Sequence, residues 1–336
     1  IFLLPELIHI STINSRRHYK LPKILVIGEA LVDLFAETGQ SLSNARSFTP
    51  RCGGAPANLA VSAAKLGGDV GFIGRVGKDG FGDTIINLMK KFGVDTSLMI
   101  RDKNRATMLA CVALPSPETP DFLLIPGANE NLISEDIPST VLEKVKVYAF
   151  GSVTLAYKSA FAVLDGARRA TSAGSEVIFD VNFRPNIWSD LEEARKLTFK
   201  AIKLSSIIKL NLDECEFLFG HRDIKKVAIK LLKYGAKLIC ISDGSNGSTF
   251  FTNNAEVKKG AYHVNAIDTT GSGDAFLAAV AVSICKFNKP LSELNSINLK
   301  SWALFANAAG ALVATKLGAM ETKFSEFDVR NLSKKH

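Results

Sequence analysis

From Lys23 onward, short apolar runs alternate with longer stretches in which apolar residues recur every three or four positions. Residues 24–28 (ILVIG) form a compact apolar run closed by glycine, the pattern of a strand buried on both faces. Residues 57–66 carry helical spacing that stops at Gly67-Gly68, a natural helix terminus. Residues 70–73 predict the next strand, and residues 82–92 the next helix, ended by Gly93. Strand and helix signals then alternate through 145–150, 159–173, 176–180, 191–204, 207–210, 224–234 and 238–241. Repeated βαβ order implies an α/β fold with a mostly parallel sheet and helices on both of its faces.

Two stretches, 34–49 and 106–125, lack helical spacing and hold β-prone segments at 107–114 and 122–125. They predict a small β-sheet lid projecting from the main sheet. No internal repeat or low-complexity linker divides the chain, so residues 21–336 are expected to be one domain. In the first twenty residues an apolar stretch precedes Arg16, Arg17 and Lys20, the reverse of a secretory signal. Residues 1–20 are expected to be a disordered or loosely docked extension, with organelle import left open.

Composition adds limits rather than direction. A chain of 336 residues that is 47% hydrophobic and 22% charged has ample material for a large core. The net charge of +8 favours anionic partners in general. Arg222, Lys226, Lys230, Lys233 and Lys237 fall at helical steps, but no aromatics interleave with them. A solvated helix face is the better reading, and no nucleic-acid partner is expected. Five scattered cysteines form no CxxC pair, and the five histidines form no metal-ligand spacing. A reducing, cytoplasmic setting without structural zinc follows. No apolar run approaches the roughly 20 residues that span a bilayer, so no membrane partner is expected.

The strongest chemical signal is Asp268-Thr269-Thr270-Gly271-Ser272-Gly273-Asp274, between a β-like stretch at 262–266 and an apolar helix at 275–285. The glycines let backbone N–H groups converge where the helix N-terminus adds positive potential, which makes an anion cradle. Asp274 sits where that helix begins, suited to take a proton from an attacking hydroxyl; taken alone it could equally be a helix cap. The segment is no dinucleotide fingerprint, since Phe276 stands where glycine is required, and no GxxxxGK[ST] loop occurs. Gly53-Gly54-Ala55-Pro56-Ala57-Asn58 is a second glycine-rich turn entering a helix, and Asp33 lies beyond the end of the first strand. Asp33 and Asn58 could share a pocket at the carboxyl ends of the strands, although singly they read as a turn residue and a cap.

GGAPAN at 53–58 paired with DTTGSGD at 268–274 resembles the two signatures of the PfkB (ribokinase/fructokinase-like) carbohydrate kinases. Further matching segments in the family's order are GRVGKDGFG at 74–82, DVNFR at 180–184, NLDE at 211–214, SDG at 242–244 with Gly247, ANAAGA at 306–311 and KLGA at 316–319. The resemblance implies a ribokinase-like α/β fold with a β lid, and transfer of the γ-phosphate of ATP to a sugar hydroxyl. It implies Asp274 as the catalytic base, with the amides of Gly271, Ser272 and Gly273 stabilising the phosphoryl group. For the sugar it implies Asp33, Gly54, Asn58 and Arg184. For ATP it implies Asn211, Ser242, Gly244, Gly247 and Asn307. Glu214 would organise Mg²⁺ through water; otherwise it reads as an exposed helix acid. Asp268 and Thr270, with the carbonyls of Val313, Lys316 and Gly318 and with Thr322, match a K⁺ site carried by many members. Pairing of two copies through their lids is a further implication.

The motifs at 53–58, 72–77 and 180–184 with Trp188 look most like fructokinases, which predicts fructose as the acceptor. Ile125-Pro126-Gly127-Ala128-Asn129 departs from the Arg-Pro-Ser-Ala-Asp usual there and is nearer to ribokinases, so ribose and 2-keto-3-deoxygluconate stay open. A kinase homologue that binds a sugar or a partner without chemistry would need a damaged base or cradle. Asp274, Gly271 and Gly273 are all present.

Overall fold

The computed structural model describes residues 22–37, 39–116 and 119–334. The predicted extension at 1–20 lies outside the described residues. The chain opens with β1 (Ile24–Ile27), β2 (Leu31–Ala36) and β3 (Phe48–Gly53), followed by α1 (Ala55–Lys65) and β4 (Val70–Ile73). Then come β5 (Arg75–Gly77), α2 (Gly80–Lys91), β6 (Ile100–Asp102), β7 (Met108–Ser116) and β8 (Thr119–Ile125). The central part is α3 (Ser139–Leu142), β9 (Val147–Gly151), α4 (Ala160–Ser172), β10 (Glu176–Asp180), α5 (Leu191–Leu204) and β11 (Ile207–Asn211). It continues with α6 (Leu212–Phe219), α7 (Ile224–Lys233), β12 (Leu238–Ser242), β13 (Ser248–Phe251) and β14 (Glu256–Lys259). Three helices close the chain: α8 (Ser272–Lys286), α9 (Ser296–Ala314) and α10 (Glu326–Ser333).

The main sheet has the order β14-β13-β12-β11-β10-β9-β1-β4. It is parallel from β4 to β12, while β13 and β14 add on antiparallel. Side-chain alternation along each strand feeds two cores. Ile24, Val26, Phe72 and Ala149 pack with α1, α2, α8 and α9, whereas Leu25, Ile27, Phe150 and Phe179 pack with α3 to α7. Each fully buried large side chain such as Phe72, Phe150 or Phe179 contributes roughly 1.5–3 kcal/mol. α8 is apolar on nearly all sides because α1 and α9 enclose it; Gly310 lets α9 approach, since a Cβ there would lie 3.0 Å from the Ser272 carbonyl.

The lid is a four-stranded sheet of order β3-β2-β7-β8. Its strands start and stop differently from the expected segments: β2 begins at Leu31, and residues 39–47 form turn and loop before β3 rather than strand. The expected β-like stretch at 262–266 is not a strand. Asn307 Nδ2 donates to the Lys259 and Gly260 carbonyls, and the amides of Ile267 and Asp268 donate to the Ala314 carbonyl, so this segment follows α9 instead of a sheet edge. The basic residues around α7 do lie on its solvated side. Arg222 pairs with Asp213 and Glu216, Lys226 with Asp223, and Lys237 with Glu176. No helix among the described residues is long and apolar enough to cross a membrane.

β1 lies between β4 and β9, so the chain leaves it to one side and later returns on the other. That change of direction opens a crevice at the carboxyl ends of the parallel strands. Glu29, Asp180, Asn211 and Ser242 all stand at or just past such ends.

Candidate active site

Asp274 occupies the first turn of α8, 7% exposed, and its Oδ2 accepts a hydrogen bond from Asn58 Nδ2 at 2.9 Å. The two signature motifs, distant in sequence, therefore meet side chain to side chain. Burial, with the Asp180 carboxylate nearby, pushes the Asp274 carboxyl up to about 6; the Asn58 hydrogen bond, Lys209 and Arg184 pull the other way. Asp274 Oδ1 accepts no hydrogen bond among the described residues. Asn58 was expected to hold sugar hydroxyls, but its amide nitrogen is engaged in holding Asp274. Its Oδ1 is sealed without a donor, the condition that a bound hydroxyl would relieve.

The cradle forms because Gly271, at φ 79°, takes the left-handed conformation that caps α8. A Cβ at Gly271 would collide with Ala319, so the 318–322 loop packs directly against the turn. The Ser272 amide, expected to face the phosphoryl group, here donates to the Thr269 carbonyl at 3.1 Å. The amides of Gly271, Gly273 and Asp274 make no hydrogen bond among the described residues, and the Ser272 hydroxyl is buried without a partner. These are the unpaired donors that a helix N-terminus offers an anion.

Lys209 is a residue the sequence reading passed over. It is 5% exposed on β11, and its Nζ lies 3.0 Å from Asp180 Oδ1 and 3.1 Å from the place of a Cβ on Gly273. Burial works against its charge, but Asp180, Glu214 and Asp274 outweigh it and lift the ammonium to about 12. The signal was present: a lysine inside the apolar run IIKLN has to find a counter-charge. Glu29 was passed over as well. It is 1% exposed, bonded to the Thr154 hydroxyl, and pushed up to about 7 chiefly by burial.

Asp33 sits half-buried on β2, packed over Gly53, where a Cβ would strike its carboxylate. Burial, then Asp268 and Asp274, raise it to about 7. Gly54 caps α1 at φ 100°, where a Cβ would come 2.7 Å from the Glu29 carbonyl. Arg184 pairs with no carboxylate among the described residues; its guanidinium reaches the Phe183 carbonyl at 3.3 Å and lies within electrostatic range of Asp274.

Glu214 is not an exposed helix acid, being 4% exposed. Its carboxylate accepts from the amides of Asn211 (2.7 Å) and Phe183 (2.9 Å), while Asn211 Oδ1 accepts from the Glu214 amide (2.8 Å). Burial raises its pKa against the pull of Lys209. Ser242 ends β12, and Gly244 and Gly247 shape the following turn with φ of 49° and 95°. Asn307 has its amide engaged by Ser248 Oγ, Lys259 O and Gly260 O, so it shapes the nucleotide side of the crevice instead of presenting a free polar group. Of the cation set, Asp268 binds the Thr270 amide (2.9 Å) and the Gly318 amide (3.3 Å). The Gly318 carbonyl already accepts from the Thr322 amide and hydroxyl, and the Val313 carbonyl from the Lys316 amide. Those two carbonyls do not form an open cage, and the Lys316 side chain is exposed.

The chain resembles known proteins along almost its whole length. Residues 21–325 match the family described as pfkB family carbohydrate kinase. The Arabidopsis thaliana protein named probable fructokinase-7 is 34% identical over 328 residues, covering 96% of this chain and 94% of that protein. The crystal structure of fructokinase with bound ATP from Xylella fastidiosa superposes with a TM-score of 0.85 at 30% identity, covering 93% of this chain and 98% of that one. Aminoimidazole riboside kinase from Salmonella enterica, complexed with aminoimidazole riboside and an ATP analogue, gives 0.79 at 30% identity over 92% and 99% of the two chains. With the signature pair joined at Asp274 and the match running almost end to end, the chain belongs to the pfkB family of carbohydrate kinases.

Proposed function

We propose that this kinase transfers the γ-phosphate of ATP to fructose, giving fructose 6-phosphate and ADP. The Asn58–Asp274 contact beside the unpaired amides of Gly271, Gly273 and Asp274 carries the reading. Asn58 fixes one oxygen of the base and leaves the other free to take the hydroxyl proton as the sugar oxygen attacks phosphorus. The bond from the γ-phosphorus to the β–γ bridging oxygen then breaks, and ADP leaves with that oxygen. The amides and Lys209 neutralise charge on the moving phosphoryl group, the preorganised stabilisation that dominates such transfers. Asp33, over Gly53, and Arg184 would hold sugar hydroxyls. Ser242, Gly244 and Gly247 would line the nucleotide, with Asn307 fixing their neighbours.

Magnesium would arrive with the nucleotide, neutralising charge between its phosphates. Asn211 and Glu214 fit the role of holding its water shell, since Mg²⁺ retains several waters and Glu214 is a carboxylate buried next to the cradle. Asp268 would serve a K⁺ ion, provided that the Gly318 and Val313 carbonyls exchange their present partners for it. Contact between lids of two copies remains our expectation from the family.

Fructose is preferred over ribose because relatives 34% and 32% identical over most of the chain are named fructokinases. Ile125, 43% exposed on β8, and buried Asn129 stand where the fructokinase pattern has charge. A coupled ADP-release assay over fructose, ribose, glucose, 2-keto-3-deoxygluconate and aminoimidazole riboside tests the proposal. Fructose should show the highest kcat/KM; a preference for any riboside would replace it.

A further inference from the structure

Lys65 closes the last turn of α1, the helix whose first turn carries Asn58. Its half-buried side chain donates through Nζ to the carbonyls of Met320 (2.6 Å) and Thr322 (2.7 Å). Met320 and Thr322 are buried in a non-helical bend, and neither carbonyl accepts another hydrogen bond among the described residues. Buried carbonyls in irregular chain need a donor from somewhere, and here one side chain serves both. The Phe92 ring at the end of α2 lies 4.1 Å from the nitrogen and the Phe324 ring 5.2 Å, faces that attract a cation and not a neutral group.

The clamped bend lies directly behind the anion cradle. Ala319 packs so closely on Gly271 that a Cβ there would collide with it. The Gly318 amide reaches the Asp268 carboxylate, and the Thr322 amide and hydroxyl return to the Gly318 carbonyl. One helix therefore grips the site from two sides: Asn58 holds Asp274, and Lys65 holds the bend on which the cradle turn rests. Charge gives the second grip its strength, since charge-assisted hydrogen bonds are roughly twice as strong as neutral ones. Burial lowers the ammonium to about 8, with Glu321 pulling the other way. Glu321 itself pairs with Arg51 of β3, and Glu326 of α10, close to Gly67, pairs with Lys286 and Arg330. We propose that Lys65 is a positioning residue for phosphoryl transfer, its ammonium fixing residues 318–322 against Gly271 so that the cradle amides stay aligned with Asp274. The proposal rests on the kinase reading above.

Lys65→Met keeps most of the stem and deletes the charge. At neutral pH its kcat on the sugar the parent prefers should fall about tenfold, with both KM values within about twofold of parental, as expected when groups around the reacting atoms are slightly misplaced. The variant should melt a few degrees lower and stay folded at the assay temperature. In the parent, kcat should decline as pH rises through about 8 and the amine loses its proton, whereas Lys65→Met should show no such decline. Binding gives a further readout: ADP with aluminium fluoride, a mimic of the phosphoryl group in flight, should bind Lys65→Met about tenfold more weakly than the parent, and ADP alone equally well. Parental kcat in Lys65→Met, with or without a lower Tm, would make the lysine purely structural and overturn the proposal. An alkaline decline that persists in that variant would do the same. Should the variant fold poorly, the parent's profile decides by itself, because a kcat flat from about pH 7 to about pH 9.5 contradicts a role for the charge. A parent that turns over no sugar would sink the kinase reading instead, and the aluminium fluoride comparison would still judge Lys65.

Discussion

Burial of the Asp274 carboxylate is unfavourable, and the hydrogen bond from Asn58 with the nearby cations offsets it only in part. The carboxyl titrates near 6 in the folded chain against an ordinary 3.8. The folded state thus binds more protons than the unfolded one between those values, and this group's contribution to stability declines as pH rises through 6. At pH 7.5 the ionised group costs on the order of 3 kcal/mol. Asp274→Asn should therefore raise Tm by a few degrees in thermal melts at that pH, and by less at pH 4. The same variant should lose roughly 10³-fold or more in kcat, because the base is gone, with ATP binding retained by calorimetry. In the parent, kcat/KM should fall below about pH 6 as Asp274 takes up its proton. A profile flat down to pH 4.5 would remove Asp274 from the base role. Glu29 and Asp33, both raised to about 7, place two more buried acids near the reaction; stability in the unliganded chain should accordingly decline toward alkaline pH.

At the scale of single elements, glycines decide where the site's side chains can lie. Gly53 on β3 leaves the space that the Asp33 carboxylate of β2 fills, an arrangement set by the antiparallel register of the two strands. Gly53→Ala keeps strand-compatible backbone but evicts that carboxylate. The sugar KM should rise about tenfold or more, the effect of losing one buried polar contact, while the ATP KM stays unchanged. An unaltered sugar KM would show that Asp33 lies off the sugar. Gly271 works differently, through its left-handed φ and the close approach of Ala319. α6 gives a third case: its capping box makes Glu214 serve the helix start and, through Phe183, the turn that carries Asn182 and Arg184.

Across the whole molecule, the lid is tied to the main body by Arg51 of β3 and Glu321 of the loop behind Gly271. Both side chains are about a third exposed (34% and 38%), so the pair adds at most about 1 kcal/mol to global stability. Its consequence is positional, because it spans the crevice from lid to cradle. Arg51→Ala should raise the sugar KM several-fold with kcat and Tm close to parental, read by steady-state kinetics and melting; a fall of Tm beyond a few degrees would mean that the pair is structural instead. Lys65, bonded to the carbonyls of Met320 and Thr322, anchors the other end of the same loop.

The parallel core was legible because two-sided burial writes itself as continuous apolar runs, and βα alternation fixes handedness and layer order. Asp274 and its cradle were legible because glycine spacing and a helix start are local facts. The roles of neighbours were not local. That the Asn58 amide faces Asp274, that Ser272 gives its amide to Thr269, and that Glu214 turns inward depend on which loops the sheet order brings together. β13 and β14 escaped notice because four-residue antiparallel edge strands carry too little periodicity to read. Lys209 looked like an interruption in an apolar strand, and Glu29 lay just past one. Sequence alone pointed to a carbohydrate kinase of the pfkB family and to Asp274 as the candidate base; tertiary structure decided which charges surround that carboxylate, since electrostatic partners are set by distance in space and not along the chain.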